Sequence, residues 1–241
     1  MQEKACLLKP CVKRLRHIRL IEVLRDSAIQ WALKQLEVAG DYLETEQPEV
    51  VQATPWSYVI RFKTFRGYVY LKQTPEQIAL EPHIIEALHK QFNVAVPEII
   101  AHIDNLNCFL MKDAGQPLRP ILKASFDEAL LYNVVDQFLR VQQAVAGKVD
   151  RLLNIGVPDY RLNKLPELYQ ALISKADILL SDGLSKKEIN QLEALYPTVS
   201  ELCHRLSSYG IKETLVQPDF NDNNMLVNPL TKKFTIIDLG E

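Results

Sequence analysis

The sequence predicts an α+β protein in two successive parts, a β-rich part followed by a mainly helical one. Short runs of β-branched and aromatic residues crowd residues 45–114, whereas beyond residue 115 the apolar residues recur at helical spacing over much longer stretches. With 241 residues, 47% of them hydrophobic, the chain is long enough for one large domain or two tightly joined lobes and apolar enough for a continuous core.

From Val12 to Val38 the apolar residues Val12, Leu15, Ile18, Ile21, Leu24, Ile29, Ala32 and Leu36 fall near helical spacing, and Gly40 ends the pattern. This gives residues 1–44 as an N-terminal helical extension of one or two helices. Val50–Gln52, Ser57–Lys63 and Tyr68–Lys72 read as strands, the last two joined by a turn at Phe65-Arg66-Gly67. A helix is expected over Pro75–Gln91, capped by Thr74, with Pro82 as a restart or kink because an interior proline removes a backbone donor and clashes with the preceding turn. Glu98–His102 and Cys108–Met111 complete five antiparallel strands in residues 45–114. Gly115-Gln116-Pro117 reads as a polar break. Helices then follow over Ser125–Ala146, opened by a capping box at Ser125-Phe126-Asp127-Glu128, and over Leu165–Leu180 and Ser185–Ser208.

Composition removes several classes of function. The net charge is −2, so no global field favours nucleic acid or an anionic membrane, and neither is expected as a partner. The basic run before Arg19 continues into Glu22 and Asp26 and reads as a solvated helix face. No apolar run reaches the roughly 18 to 20 residues that cross a bilayer. Cys6, Cys11, Cys108 and Cys203 form no C-x-x-C pair, which argues against disulfides or structural zinc and for a reducing cytoplasm. The five histidines show no clustered ligand spacing, which argues against a histidine-based metal site.

The chemistry concentrates in the last segment. A polar loop, Gln217-Pro218-Asp219-Phe220-Asn221-Asp222-Asn223-Asn224, leads into a short strand, a turn at Asn228-Pro229, a second strand and the D-x-G of Asp238-Leu239-Gly240. A hairpin of this kind brings Asp219, Asn224 and Asp238 to one edge. Phosphoryl transfer needs such a set, because metal ions must neutralise a polyanion while a hydroxyl is held in line with the phosphorus. Asn224 and Asp238 supply the hard oxygen ligands magnesium prefers, and Asp219 is placed to take the hydroxyl proton. Each residue alone is more often a turn or cap residue; their joint spacing makes the case.

These residues resemble the aminoglycoside phosphotransferase and choline kinase family, small-molecule kinases with a protein-kinase-like fold, in which a His-Gly-Asp-x-x-x-x-Asn loop, a hairpin and an Ile-Asp-x-Gly segment hold the catalytic base and the magnesium ligands. The resemblance implies a bilobal fold, a five-stranded N-terminal lobe over residues 45–114, and a helical C-terminal lobe over 115–241 that carries the loop and hairpin. It implies ATP and Mg2+ as cofactors and the hydroxyl of a small molecule as acceptor. Asp219 takes the place of the base, Asn224 of the amide ligand and Asp238 of the metal-binding aspartate. Upstream, Tyr68-Val69-Tyr70-Leu71-Lys72 resembles the family's third strand, so that Lys72 would meet the α- and β-phosphates and Glu81 would pair with it. Lys63 and Glu86 are rivals for these two positions. Main-chain groups around Met111 to Asp113 would bond the adenine.

The chain departs from the family in three places. Gln217-Pro218 replaces His-Gly, so the histidine that braces the loop is missing. The segment Ala53–Tyr58, where the phosphates would be covered, has no glycine, and Ser57 remains as a phosphate donor. The sequence stops just after the D-x-G, so that either a truncated C-terminal end or an acceptor site completed differently is expected. These departures define the alternative expectation, a nucleotide-binding pseudokinase that serves as an interaction module. The acceptor, the choice of ATP or GTP and the oligomeric state are not written in the motifs.

Overall fold

In a computed structural model, the structure describes residues 8–240 apart from 46 and 230, and of residues 8–21 the backbone alone. The chain forms two compact units, one of Met1–Val141 with Gln217–Glu241 and the other of Gln142–Val216.

The first unit opens with one long helix, α1 (Leu8–Val38), followed by the strands β1 (Glu49–Ala53), β2 (Tyr58–Thr64) and β3 (Gly67–Gln73). Helix α2 (Glu81–Phe92), β4 (Ile99–Ile103) and β5 (Cys108–Lys112) come next. The five antiparallel strands the sequence predicts form one sheet, and the structure gives their order as β1-β2-β3-β5-β4. Ala28, Ala32 and Leu36 of α1 are fully buried against Ile60, Phe62, Val69, Leu71, Cys108 and Leu110, so the extension supplies part of the core of this sheet. The small alanines let the helix approach the sheet closely. Arg25 stacks over Tyr58, 4.1 Å from the ring centroid, and fixes the same face.

The helix expected from Pro75 does not begin there. Glu76–Ile78 forms a turn of 3₁₀ helix, and α2 starts at Glu81 with Pro82 in its first turn. A proline is tolerated at that position because its missing N–H would have had no helical partner. Thr74 caps nothing; its hydroxyl donates to the Ile78 carbonyl.

After β5 the chain does not break into a loop. Gln116–Pro117 is a short strand, β6, which pairs with β7 (Met225–Val227), itself paired with β8 (Phe234–Ile236). Gly115 makes this pairing possible: its φ of +125° suits glycine, and a Cβ there would lie 2.4 Å from the Val227 carbonyl oxygen. Helix α3 (Leu118–Ala124), not anticipated from the sequence, and the first part of α4 (Glu128–Val145) cover the small sheet. Leu118, Val134 and Met225 form its core, joined by Leu122, Leu130, Leu131, Phe220 and Phe234. The cap of α4 is Asp127, whose Oδ1 accepts from the N–H groups of Ala129 and Leu130, rather than the expected box at Ser125.

The second unit contains the end of α4, then α5 (Asp150–Leu153), α6 (Leu165–Ile173), α7 (Ala176–Ser181), α8 (Lys186–Ala194) and α9 (Tyr196–Ser207). Each of the two later helices expected here is divided in two. Lys175 leaves helical geometry between α6 and α7, and Pro197 restarts the chain as α9. Ser185 and Glu188 form a reciprocal capping box at the start of α8. Tyr169 donates to the Leu192 carbonyl at 2.6 Å, tying α6 to α8.

Candidate active site

Lys72 lies near the end of β3, its backbone paired to Phe109 on one side and Val59 on the other. The side chain is buried, yet its ammonium has two anionic partners at 2.5 Å, Glu81 Oε2 and Asp238 Oδ1. Burial alone pulls the ammonium pKa down; the carboxylates of Glu81 and Asp238 outweigh it and leave the group above its ordinary value. Lys72 is therefore a cation, with one of its three N–H donors left over after the two carboxylates. The rival residues are engaged elsewhere. Lys63 pairs with Glu44 on the surface, and Glu86 with Lys90 one helical turn away.

Glu81 is placed by the start of α2 and is almost fully buried. Its second oxygen, Oε1, accepts from the Asp238 N–H at 3.1 Å. Asp238 itself adopts a left-handed backbone, φ +64°, a conformation that aspartate tolerates better than most residues. Gly240 follows because there is no room for more: a Cβ would come within 2.9 Å of both Glu81 Cβ and the Ile78 oxygen. The D-x-G end is thus pressed against the base of α2.

The second half of the site is the loop before β7. Asn224 directs both amide hydrogens at Asp219, to Oδ2 at 2.9 Å and to the main-chain oxygen at 3.0 Å, and among the described residues its Oδ1 has no partner. The Asn224 carbonyl accepts from the Ile237 N–H at 3.0 Å, so Asn224 stands beside the strand end that carries Asp238. Phe220, next to Asp219, stacks on Phe138 with ring centroids 4.5 Å apart and anchors the loop to α4. Arg119 of α3 holds Asp222 Oδ1 through Nε at 2.8 Å and Nη2 at 2.7 Å, which keeps that carboxyl below its usual range.

The sequence marks Gln217 only as the replacement for a missing brace. In the structure it is buried and bridges the two segments: its Nε2 donates to the carbonyls of Ile237 at 3.2 Å and Asp238 at 2.5 Å, while Oε1 faces the Asp219 N–H at 3.4 Å. The Gln217 amide thus ties the loop to the D-x-G end at the position where the resemblance leads one to expect a histidine. The signal was its position, two residues before Asp219.

The remaining sequence-predicted residues lie at the edges. Ser57 closes the β1–β2 hairpin, where Thr54 Oγ1 accepts from the N–H groups of Trp56 and Ser57; two backbone donors of this turn are thereby used inside it. In the segment after β5, the Lys112 N–H donates to Glu98 and the Asp113 N–H to Tyr68. Asp113 Oδ1 accepts from the Gly115 N–H. Met111 sits within β5 opposite Tyr70 and Ile99. Among the described residues, the main-chain donor here without an internal partner is that of Ala114.

No protein-family model matches the sequence, and no curated protein matches it. Solved structures do. A streptomycin–ATP–APH(2″)-IIa ternary complex aligns over 88% of this chain with a TM-score of 0.59 and 15% identity. An ethanolamine kinase of Plasmodium vivax aligns over 82% with a TM-score of 0.55 and 13% identity, and a type I macrolide 2′-phosphotransferase over 88% with a TM-score of 0.52 and 12% identity. The chain has the aminoglycoside phosphotransferase and choline kinase-like fold. It spans 69%, 57% and 71% of those three chains. Within this fold the five-stranded sheet presents Lys72, and the short β7–β8 hairpin presents Asn224 and Asp238.

Proposed function

We propose that this protein is an ATP- and magnesium-dependent phosphotransferase that moves the γ-phosphate to a hydroxyl of a small molecule of amino-sugar, amino-alcohol or sugar type. The observation that carries the reading is the convergence of Lys72, Glu81 and Asp238 next to the Asp219–Asn224 pair, each side chain fixed by at least one named partner.

The donor chemistry fits the cofactors. Asn224 Oδ1 and the second oxygen of Asp238 are hard, uncommitted ligands of the kind magnesium takes, and the spare N–H of Lys72 suits a phosphate oxygen. Bound magnesium and ATP would supply the transferable phosphoryl group and the positive charge that screens it. Asp219 accepts the proton of the acceptor hydroxyl, and its carboxylate is kept in one orientation by Asn224. Glu81 keeps Lys72 extended along the sheet and holds Asp238 by its backbone. The Ala114 N–H and the neighbouring carbonyls offer an edge for the adenine, and the Ser57 hydroxyl offers a donor to phosphate. That ATP accompanies one structural neighbour and that another is an ethanolamine kinase supports the same class of reaction.

The test is ATP turnover over a panel of amino-sugar, amino-alcohol and sugar hydroxyls. Wild type is expected to transfer phosphate to at least one, and Asp219→Asn to lose about 100- to 10,000-fold while keeping the thermal shift with magnesium and ATP. The second reading, a nucleotide-binding pseudokinase, draws on the closed Thr54–Ser57 turn, whose amides are spent internally. It requires magnesium-dependent stabilisation by ATP with no transfer to any acceptor.

A further inference from the structure

The five histidines are scattered in sequence, yet the fold brings two of them onto one carboxylate. His83 lies in the first turn of α2, His102 lies near the end of β4, and Asp104 opens the 3₁₀ turn that follows β4. His83 Nε2 stands 3.2 Å and His102 Nδ1 3.3 Å from the same atom, Asp104 Oδ1, and one ligand atom from each of the three residues lies within 4.8 Å of the others. The imidazole rings meet edge to face with centroids 4.7 Å apart.

We infer that His83, His102 and Asp104 form a binding site for a borderline divalent cation, zinc above all, that staples α2 to the β4–β5 connection. The ligand types select this class: two imidazoles with one carboxylate suit zinc and its first-row neighbours, whereas magnesium and calcium favour all-oxygen sets such as that of Asn224 and Asp238. The distances agree. Zinc bonds of about 2.0 to 2.1 Å in a tetrahedron put neighbouring ligand atoms about 3.3 Å apart, which is where both nitrogens already stand relative to the aspartate oxygen. The ion would take the place of the two shared hydrogen bonds, and the two nitrogens, within 4.8 Å of each other, need only a small closing movement to share it.

The surroundings complete the pattern. The other ring nitrogen of His102, Nε2, faces Glu86 Oε1 at 4.0 Å, and Glu86 is held by Lys90 at 2.8 Å. At that distance Glu86 makes no hydrogen bond to the ring, but a small turn of the imidazole on binding the ion would bring it into place as the carboxylate that fixes the tautomer and raises the basicity of a ligating histidine. The histidine side chains are 35% and 27% exposed and Asp104 75%, so an ion has a route in and water can fill the fourth position. His83 lies two residues beyond Glu81 on α2, so the ion would brace the helix that holds Lys72.

The experiment is titration of the full chain with zinc alone, read by calorimetry and thermal unfolding. One equivalent is expected to bind and raise Tm. Glu86→Gln is expected to weaken binding about 10- to 100-fold. His83→Asn and His102→Asn each remove a ligand and should weaken it further, without lowering the Tm of the zinc-free protein as much as the lost increment. Replacing Cys6, Cys11 and Cys203 by serine should leave binding unchanged, and cobalt in place of zinc should give ligand-field bands without a thiolate charge-transfer band. Affinity that survives the double variant His83→Asn/His102→Asn, affinity lost with the cysteines, or a thiolate band overturns the assignment, as does an absence of zinc binding.

Discussion

Glu81 grips Asp238 by the backbone and shares a cation with its side chain: Oε1 accepts from the Asp238 N–H at 3.1 Å, while Oε2 and Asp238 Oδ1 both lie 2.5 Å from Lys72 Nζ. The two residues are 157 positions apart in sequence. One carboxylate at the start of α2 thus sets both the direction of Lys72 and the left-handed turn of the D-x-G end. The proposed chemistry and the stability of the first unit share this point.

Lys72→Met leaves Glu81 as a buried anion beside Asp238. Removing one member of such a pair is expected to cost about 3 to 5 kcal/mol of unfolding free energy by denaturant titration. Adding Glu81→Gln should recover most of that loss, because the amide can still accept from the Asp238 N–H without an unpaired charge. The Lys72 pKa is raised in the folded state, so the stabilisation is fully present below the unfolded lysine range and is lost as pH rises through the folded value. The Tm difference between wild type and Lys72→Met should stay constant through neutral pH and shrink only above the ordinary lysine range.

Gln217→Ala removes the donor shared by the carbonyls of Ile237 and Asp238 in a buried setting. A loss of about 1 to 3 kcal/mol is expected from the unsatisfied groups. Phosphate transfer should fall with it, since the Asp219 loop loses its tie to the D-x-G end. Gln217→His should keep more activity than Gln217→Ala if the side chain acts as a brace; equal losses in the two would refute that role.

Gly115→Ala forces a Cβ to within 2.4 Å of the Val227 oxygen at a φ of +125°. Backbone strain and overpacking together are expected to cost about 3 kcal/mol, measured by thermal or denaturant unfolding. Gly67→Ala is the companion variant: its φ is also +125° but nothing stands within 4 Å, so it isolates the backbone contribution and should cost less.

Burial pushes the Cys108 thiol up to about 12, which leaves almost no thiolate at neutral pH. Cys203 is only partly buried. Iodoacetamide should therefore modify Cys203 in the native protein long before Cys108, as read by peptide mass spectrometry. Labelling of Cys108 should follow the unfolding curve.

Much of the first unit was legible because its signals are local. Alternating apolar residues mark the strands, and the D-x-x-x-x-N spacing followed by an apolar hairpin and D-x-G places Asp219, Asn224 and Asp238 together, because a hairpin converts sequence spacing into proximity. The start of α2 was misplaced because proline is ambiguous: Pro75 and Pro82 both suit a first helical turn, and the packing of Gly240 against Glu81 and Ile78 accompanies the start at Glu81. Helix α3 and strand β6 were missed because each is short and finds its partner, β7, more than a hundred residues away.

The sequence by itself determined the five strands of the first sheet, the helical character of the later part of the chain and the set of polar residues at its end, since periodicity and close spacing are enough for these; where the helices start and divide was not among them. Only the tertiary structure decided that Glu81 rather than Glu86 meets Lys72, that Gln217 bridges the loop to the D-x-G end, and that His83 and His102 share Asp104. Each of these depends on which face of α2 turns toward the sheet or on where a distant strand docks. Those choices are made by burial of the whole apolar surface and not by the residues concerned.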